Sequence, residues 1–444
     1  EQAIIDDVID VLSDILADNN FVMLGDLIDF IRDGEYKNLD FYKESTLQLL
    51  VDAVELITES TILKAAAFAV FDQFILPMLG LPSELEDLLS FDGYTIDALI
   101  EDFERLSRIA RYAIDFGALD IVKGGEINYD QAELVKKIFE ELFSLNYLDI
   151  KRQAIVDFLE TIIGEQGIDL SLFDVDAVDF AGDGLLLGDF YEALLPILTD
   201  EDFPLTSIDA IKAFMEDLDY EQFLKDTYAY ALVDALKVLV TTSLVKELIP
   251  VAFDFARQYV PEEFAFVLDL SVVNEDMVVE DLLQVLDAVQ IAIDLGAVKY
   301  FNDAPVRLAG IKDQAVELVK KLLTINLVTA HYERLIEEAL RMIDLDPIDV
   351  NLSKVVWADE VDLIAEVVRE VIDIALNNNN AYLDELLDYI DEVKTDYEIA
   401  ITEANGLSVA NILEILTDSE IVKAVVLPLI DKYVVPMVEG TDFE

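Results

Sequence analysis

Residues 51–64 read VDAVELITESTILK, and residues 233–246 read VDALKVLVTTSLVK. The two align without a gap from Val51 and Val233 to Lys64 and Lys246, and a degenerate third copy lies around Lys423. In each copy an Asp follows the lysine by eight residues, at Asp72, Asp254 and Asp431, and a proline closes the segment at Pro77, Pro261 and Pro436. Self-similarity at a long, fixed spacing marks an array in which neighbouring units bury one another's apolar faces.

A second block keeps the same period of about 180 residues. The run from Tyr112 to Ala118 matches Ile291 to Ala297, sharing Ala-Ile-Asp and Gly-Ala. Asp130-Gln131-Ala132 and Glu133 to Lys137 match Asp313-Gln314-Ala315 and Glu317 to Lys321, with Val316 inserted. Lys137 stands nine residues before Asn146, whereas Lys321 stands five before Asn326. The missing four residues are about one helical turn, so the apolar face survives the deletion. Asn19-Asn20 and Leu27 to Ile31 resemble Asn377 to Asn380 and Leu386 to Ile390. The chain thus holds roughly two and a half copies, divided as residues 1–181, 182–360 and a partial 361–444. It starts within a repeat, and its first residues carry no signal peptide, as expected of a mature or excised fragment.

The period within each copy is helical. Val8, Val11, Leu12, Ile15 and Leu16 fall at spacings of three and four, with Asp7, Asp10 and Asp14 between them. Leu363, Val367, Val368, Val371 and Ile372 form a similar stripe. Short turns bear Ser60, Gly117 and Asn146 in one copy and Ser243, Gly296 and Asn326 in the next, each followed by aliphatics. Gly and Asn tolerate the left-handed conformation that ends a helix, and Ser caps the start of another. The expected fold is all-α, built of tandem helical hairpins in a solenoid-like or irregular array.

Charge bounds the partners. The 444 residues include 93 Asp and Glu against 29 Lys and Arg, a formal net charge of −64, while 54% are apolar. A chain this apolar and this acidic must segregate the two kinds of side chain. It lacks the cationic density that nucleic acid or an anionic membrane surface requires. Its field attracts cations and basic proteins. No apolar run reaches the ~18 residues of a transmembrane helix. There is no Cys, hence no disulfide or thiolate metal site.

Catalytic motifs are missing: no Gly-rich phosphate loop, no Gly-x-Ser-x-Gly elbow and no His-Glu-x-x-His is present. With 93 carboxylates, a pair suited to acid–base work carries no signal. The single histidine, His331, is expected at the surface or as a helix cap. The Lys-plus-eight-Asp pairs are expected to bridge to neighbouring hairpins. Hard cations such as calcium want clustered carboxylate oxygens. The candidate ligands are Asp174, Asp176, Asp179 and Asp183 in one copy and Asp344, Asp346 and Asp349, with Asn351, in the other. Neither loop fits the twelve-residue calcium loop, because its Gly and terminal Glu are misplaced. Trp357 reads as core. Ala65 to Leu81 and Val422 to Met437 carry few charges and are expected to be central or to face a cavity.

These features predict a non-enzymatic bacterial structural or interaction protein, secreted or at the cell surface. It would self-associate through its repeats into fibres, with calcium or basic proteins on its acidic faces. The alternative is a helical carrier of lipid or other apolar molecules.

Overall fold

The computed structural model describes residues 2–18, 93–163, 168–200, 206–216, 225–302, 304–342, 350–377 and 403–430, with isolated positions between them. Among the described residues the protein is all-helical, with 17 α-helices, three short 3-10 segments and no strand beyond one isolated bridge, Arg307 to Tyr382. The helices are α1 (Gln2–Asp18), α2 (Ile96–Asp115), α3 (Ala118–Val122), α4 (Ala132–Phe143), α5 (Asn146–Ile150) and α6 (Arg152–Ile163). Next come α7 (Phe180–Leu198), α8 (Ile208–Glu216), α9 (Asp226–Val240), α10 (Ser243–Ala256), α11 (Glu275–Asp294) and α12 (Ala297–Phe301). The last are α13 (Lys312–Leu323), α14 (Asn326–Met342), α15 (Trp357–Asn377), α16 (Glu403–Asp418) and α17 (Glu420–Leu429).

Contacts group the chain into two compact units, Glu1–Tyr220 with Asp234–Phe255, and Glu221–Val233 with Ala256–Glu444. In the first unit α4 packs on both α2 and α7. In the second α13 packs on both α11 and α15, and α15 packs on α16. Ion pairs tie each middle helix to both neighbours. From α4, Glu141 accepts from Arg105 and Arg108 of α2, while Lys136 reaches Asp189 and Glu192 of α7. From α13, Lys321 reaches Asp287 of α11 and Lys320 reaches Asp362 of α15.

Local signals explain the long helices. Thr95 accepts from the Ala98 N–H to open α2, and Asn274 accepts from the Met277 N–H to open α11, with acidic residues in both first turns. Gly117 and Gly296 follow in the left-handed region at φ 86° and 97°, where an L side chain is strained. In α7 glycine serves contact instead. A Cβ on Gly184 would lie 2.5 Å from Phe143 Cβ, and one on Gly188 3.0 Å from Lys136 Cγ, so α4 and α7 approach through these residues.

Four buried carboxylates hold the helices that open after the turns. Asp102 of α2 accepts from the N–H groups of Asn146 (2.6 Å) and Tyr147 (2.8 Å). Asp281 of α11 accepts from those of Asn326 (2.5 Å) and Leu327 (2.8 Å). The Asn side chains complete the match: Asn146 Nδ2 donates to the Ala98 carbonyl and Glu101, and Asn326 Nδ2 to the Met277 carbonyl and Glu280. A second kind uses hydroxyls. Asp183 of α7 accepts from the Ser243 and Leu244 N–H groups and from Ser243 Oγ. Glu360 of α15 accepts from the Glu420 and Ile421 N–H groups and from Ser419 Oγ. The residues before these helices, Thr242 and Ser419, are buried caps that accept from the Val245 and Val422 N–H groups, and Ser60, aligned with Thr242, is buried too.

Three expectations need correction. Asn146 and Asn326 do not end a helix. Each is the first residue of the next one, because its N–H is taken by the buried carboxylate. Among the described residues Lys423 bridges to no other hairpin: its ammonium meets Glu420 and the Asp418 carbonyl. The described part of the Val422 to Met437 stretch is not central, since Val426, Leu427 and Ile430 are exposed. Ala65 to Leu81, Lys64, Asp72 and Asp431 lie outside the described residues.

Removing a lock strands two helix N–H groups beside an apolar core. Asp102→Ala and Asp281→Ala should each cost about 2–3 kcal/mol in urea unfolding, whereas exposed Asp176→Ala should stay within about 0.5 kcal/mol. A phenol adds an alkaline signature. Burial, with Tyr129 alongside, pushes the Tyr191 hydroxyl up to about 12. Folding therefore favours the neutral phenol. That contribution is complete below pH 10 and is lost as pH rises from 10 to about 12. Ultraviolet titration of the wild type against Tyr191→Phe should show one late-ionising phenol missing in the variant.

Candidate functional site

The acidic stretch between α6 and α7 spends its carboxylates on backbone. Asp174 accepts from the Asp176 N–H (3.1 Å) to open the 3-10 turn Val175–Ala177. Asp179 accepts from the Gly182 N–H (3.0 Å) to cap α7, and its own N–H donates to Ser243 Oγ (2.7 Å). Asp183 is buried in its lock on α10, and Asp176 faces solvent. The structure thus keeps these four near one another in sequence but turns them to different tasks. Among the described residues no three His, Cys, Asp or Glu side chains converge as metal ligands. Asp344, Asp346 and Asp349 lie outside the described residues, and Asn351 accepts from the Ser353 N–H in a turn.

His331 is not a surface residue. It sits in α14, buried, with its ring edge-on to Phe266 at 5.2 Å between centroids. The Arg334 guanidinium covers the same phenyl ring at 3.8 Å, and Nε2 of the histidine has no hydrogen-bond partner among the described residues. The helical period of α14 places His331 and Arg334 three apart on one face, over the 3-10 segment Glu262–Leu268. Burial lowers the imidazole's affinity for a proton, Arg334 adds to that, and Asp269 opposes it. Trp357 is partly buried, stacks on Tyr332 at 5.2 Å and donates to the Leu323 carbonyl.

The second unit also contains a partly open cavity of about 440 Å³. Its described lining is wholly apolar: Ala292 of α11, Leu295 just beyond that helix and Ala297 of α12, with Ala315 and Leu318 of α13. Val367, Val368, Val371 and Ile372 of α15 form the facing wall, so most of the predicted stripe is turned inward. Leu308, Ile311 and Leu383 complete the described lining. Charged pairs join the same helices: Lys312 holds both carboxylate oxygens of Asp373 at 2.9 Å, and Arg369 holds Asp313 at 2.8 Å. This lining can take up apolar matter and offers no group for acid, base or nucleophile chemistry.

No protein-family model, curated protein or solved structure matches the chain. No described helix is long and apolar enough to cross a membrane.

Because the chain has one histidine, a single set of imidazole resonances reports this site. His331 should titrate below its ordinary 6.5, and Arg334→Gln should raise the midpoint. A lowered value means the fold prefers the neutral ring. Its share of stability is present above pH 6.5 and is lost as pH falls through the folded midpoint, which paired NMR and urea titrations would check.

Proposed function

We propose that this chain is a non-enzymatic structural protein, a section of a helical-hairpin array with a period of about 180 residues. It acts outside the cell or at its surface and assembles through its ends. The observation that carries the reading is a difference in exposure between aligned helices. Ile249 in α10 is 5% exposed, whereas its counterpart in α17, Val426, is 41% exposed. Beside it Leu427 is 58% exposed, and Leu407 in α16 is 66% exposed. At the aligned position a side chain that the earlier copy buries stands open in the later one, leaving an apolar surface of the kind that self-association covers. The acidic surface keeps such a protein soluble and draws divalent cations and basic partners to it.

A second reading, a carrier of apolar molecules, is favoured by the cavity of the second unit.

Sedimentation velocity across a range of concentrations, with calcium and with chelator, tests the assembly. The wild type should form oligomers as concentration rises, and Leu407→Glu with Leu427→Glu should remain monomeric with an unchanged circular dichroism spectrum. A wild-type chain that stays monomeric throughout would sink the array reading. Collapse of the oligomers on chelation would assign the cation a linking role.

A further inference from the structure

We propose that the cavity among α11, α12, α13 and α15 is a binding site for one uncharged apolar molecule, such as a hydrocarbon or isoprenoid chain. The inference rests on the carrier reading and specifies its site and ligand class.

The two units carry different side-chain bulk at matching positions of their long helices. Positions can be counted from the lock carboxylates, Asp183 in α7 and Glu360 in α15. Seven and eight residues beyond them α7 carries Phe190 and Tyr191, while α15 carries Val367 and Val368. Eleven residues beyond, Leu194 corresponds to Val371. On the other wall, fourteen residues beyond Asp102 and Asp281, Phe116 corresponds to Leu295. In the first unit Tyr191 reaches toward the Tyr129 carbonyl (3.5 Å), and the Tyr129 ring meets Phe203 edge-on at 5.9 Å. Aromatic bulk thus occupies the wall positions in one unit, and valine occupies them in the other.

Ion pairs tie the walls of the second unit to one another. The pairs Lys321–Asp287, Lys312–Asp373 and Arg369–Asp313 link α13 to α11 and to α15. Gly296 sets the corner, where an added Cβ would come within 3.1 Å of Val306. A lining without polar atoms does not hold water well, and its side chains gain contacts only from an apolar occupant. The volume lies within the range of small-molecule sites, about 300–1,000 Å³. No described lining residue can pair with a charge, and the surrounding field of a −64 chain repels anions. The occupant is therefore neutral, which sets it apart from ionised fatty acids.

The test uses the full chain and two fluorescent dyes, neutral N-phenyl-1-naphthylamine and its anionic relative 8-anilinonaphthalene-1-sulfonate. The neutral dye should bind saturably, one per chain, and the anionic dye about tenfold or more weakly. Val367→Phe with Val368→Tyr, which restores the bulk of the first unit, should weaken the neutral dye by about tenfold or more without lowering the melting temperature. Should that variant not fold, photolabelling of the wild type with a neutral diazirine alkane decides, because the label should map to residues 292–318 and 367–383. Equal binding of both dyes with labelling at those residues would overturn the uncharged-ligand inference and leave the carrier reading standing. Unsaturable dye binding, or label spread over other helices, would overturn both.

Discussion

The structure depends on what becomes of the first N–H groups of a helix that begins inside the protein. Those groups have no partner of their own and cannot be left dry. At α5, α10, α14 and α17 a carboxylate from a distant helix supplies the acceptor, at distances of 2.5 to 3.3 Å. The helix dipole and the charge-assisted bonds act in the same direction. Each lock also fixes where the long helix stands relative to the short one, since two adjacent N–H groups admit one carboxylate orientation. The ion pairs of α4 and α13 add lateral ties, although each such exposed pair is weak on its own.

Cations are scarce in this chain, and their placement is correspondingly informative. Lys136, Lys320 and Lys321, three of the four lysines in the aligned pair of segments Glu133 to Lys137 and Glu317 to Lys321, each connect one helix to another. Acidic residues are in such excess that most face water, which makes them poor guides to a site. The few that are buried matter far more than their number suggests, because a dry carboxylate persists only with donors around it.

Helical class and turn positions were legible because both follow from local chemistry. Val367, Val368, Val371 and Ile372 declared an apolar face by spacing alone, and Gly117 and Gly296 marked chain reversals through φ. The locks were harder to see. Asp102, Asp281 and Glu360 occupy positions where the helical period asks for an apolar residue, and that mismatch is the signal they carry. Their partners lie 44 to 61 residues away, beyond the reach of any local rule. His331 was misplaced because a lone imidazole next to Thr329-Ala330 gives no hint that Phe266 will cover it. The cavity could not be read at all from one copy. It emerges only when the two units are counted from the same carboxylate, which requires the locks to be known first.

The spacing of the locks has a mechanical consequence. Each one fastens two points of the chain and stores the length between them, 44 residues from Asp102 to Asn146 and 60 from Asp183 to Ser243. A chain drawn out from its ends would release that slack as the bonds part, roughly 150 Å for the shorter loop and roughly 200 Å for the longer. Tension on the protein would then be answered by extension in two alternating lengths, the lock loops acting as paired reserves of slack within the fold.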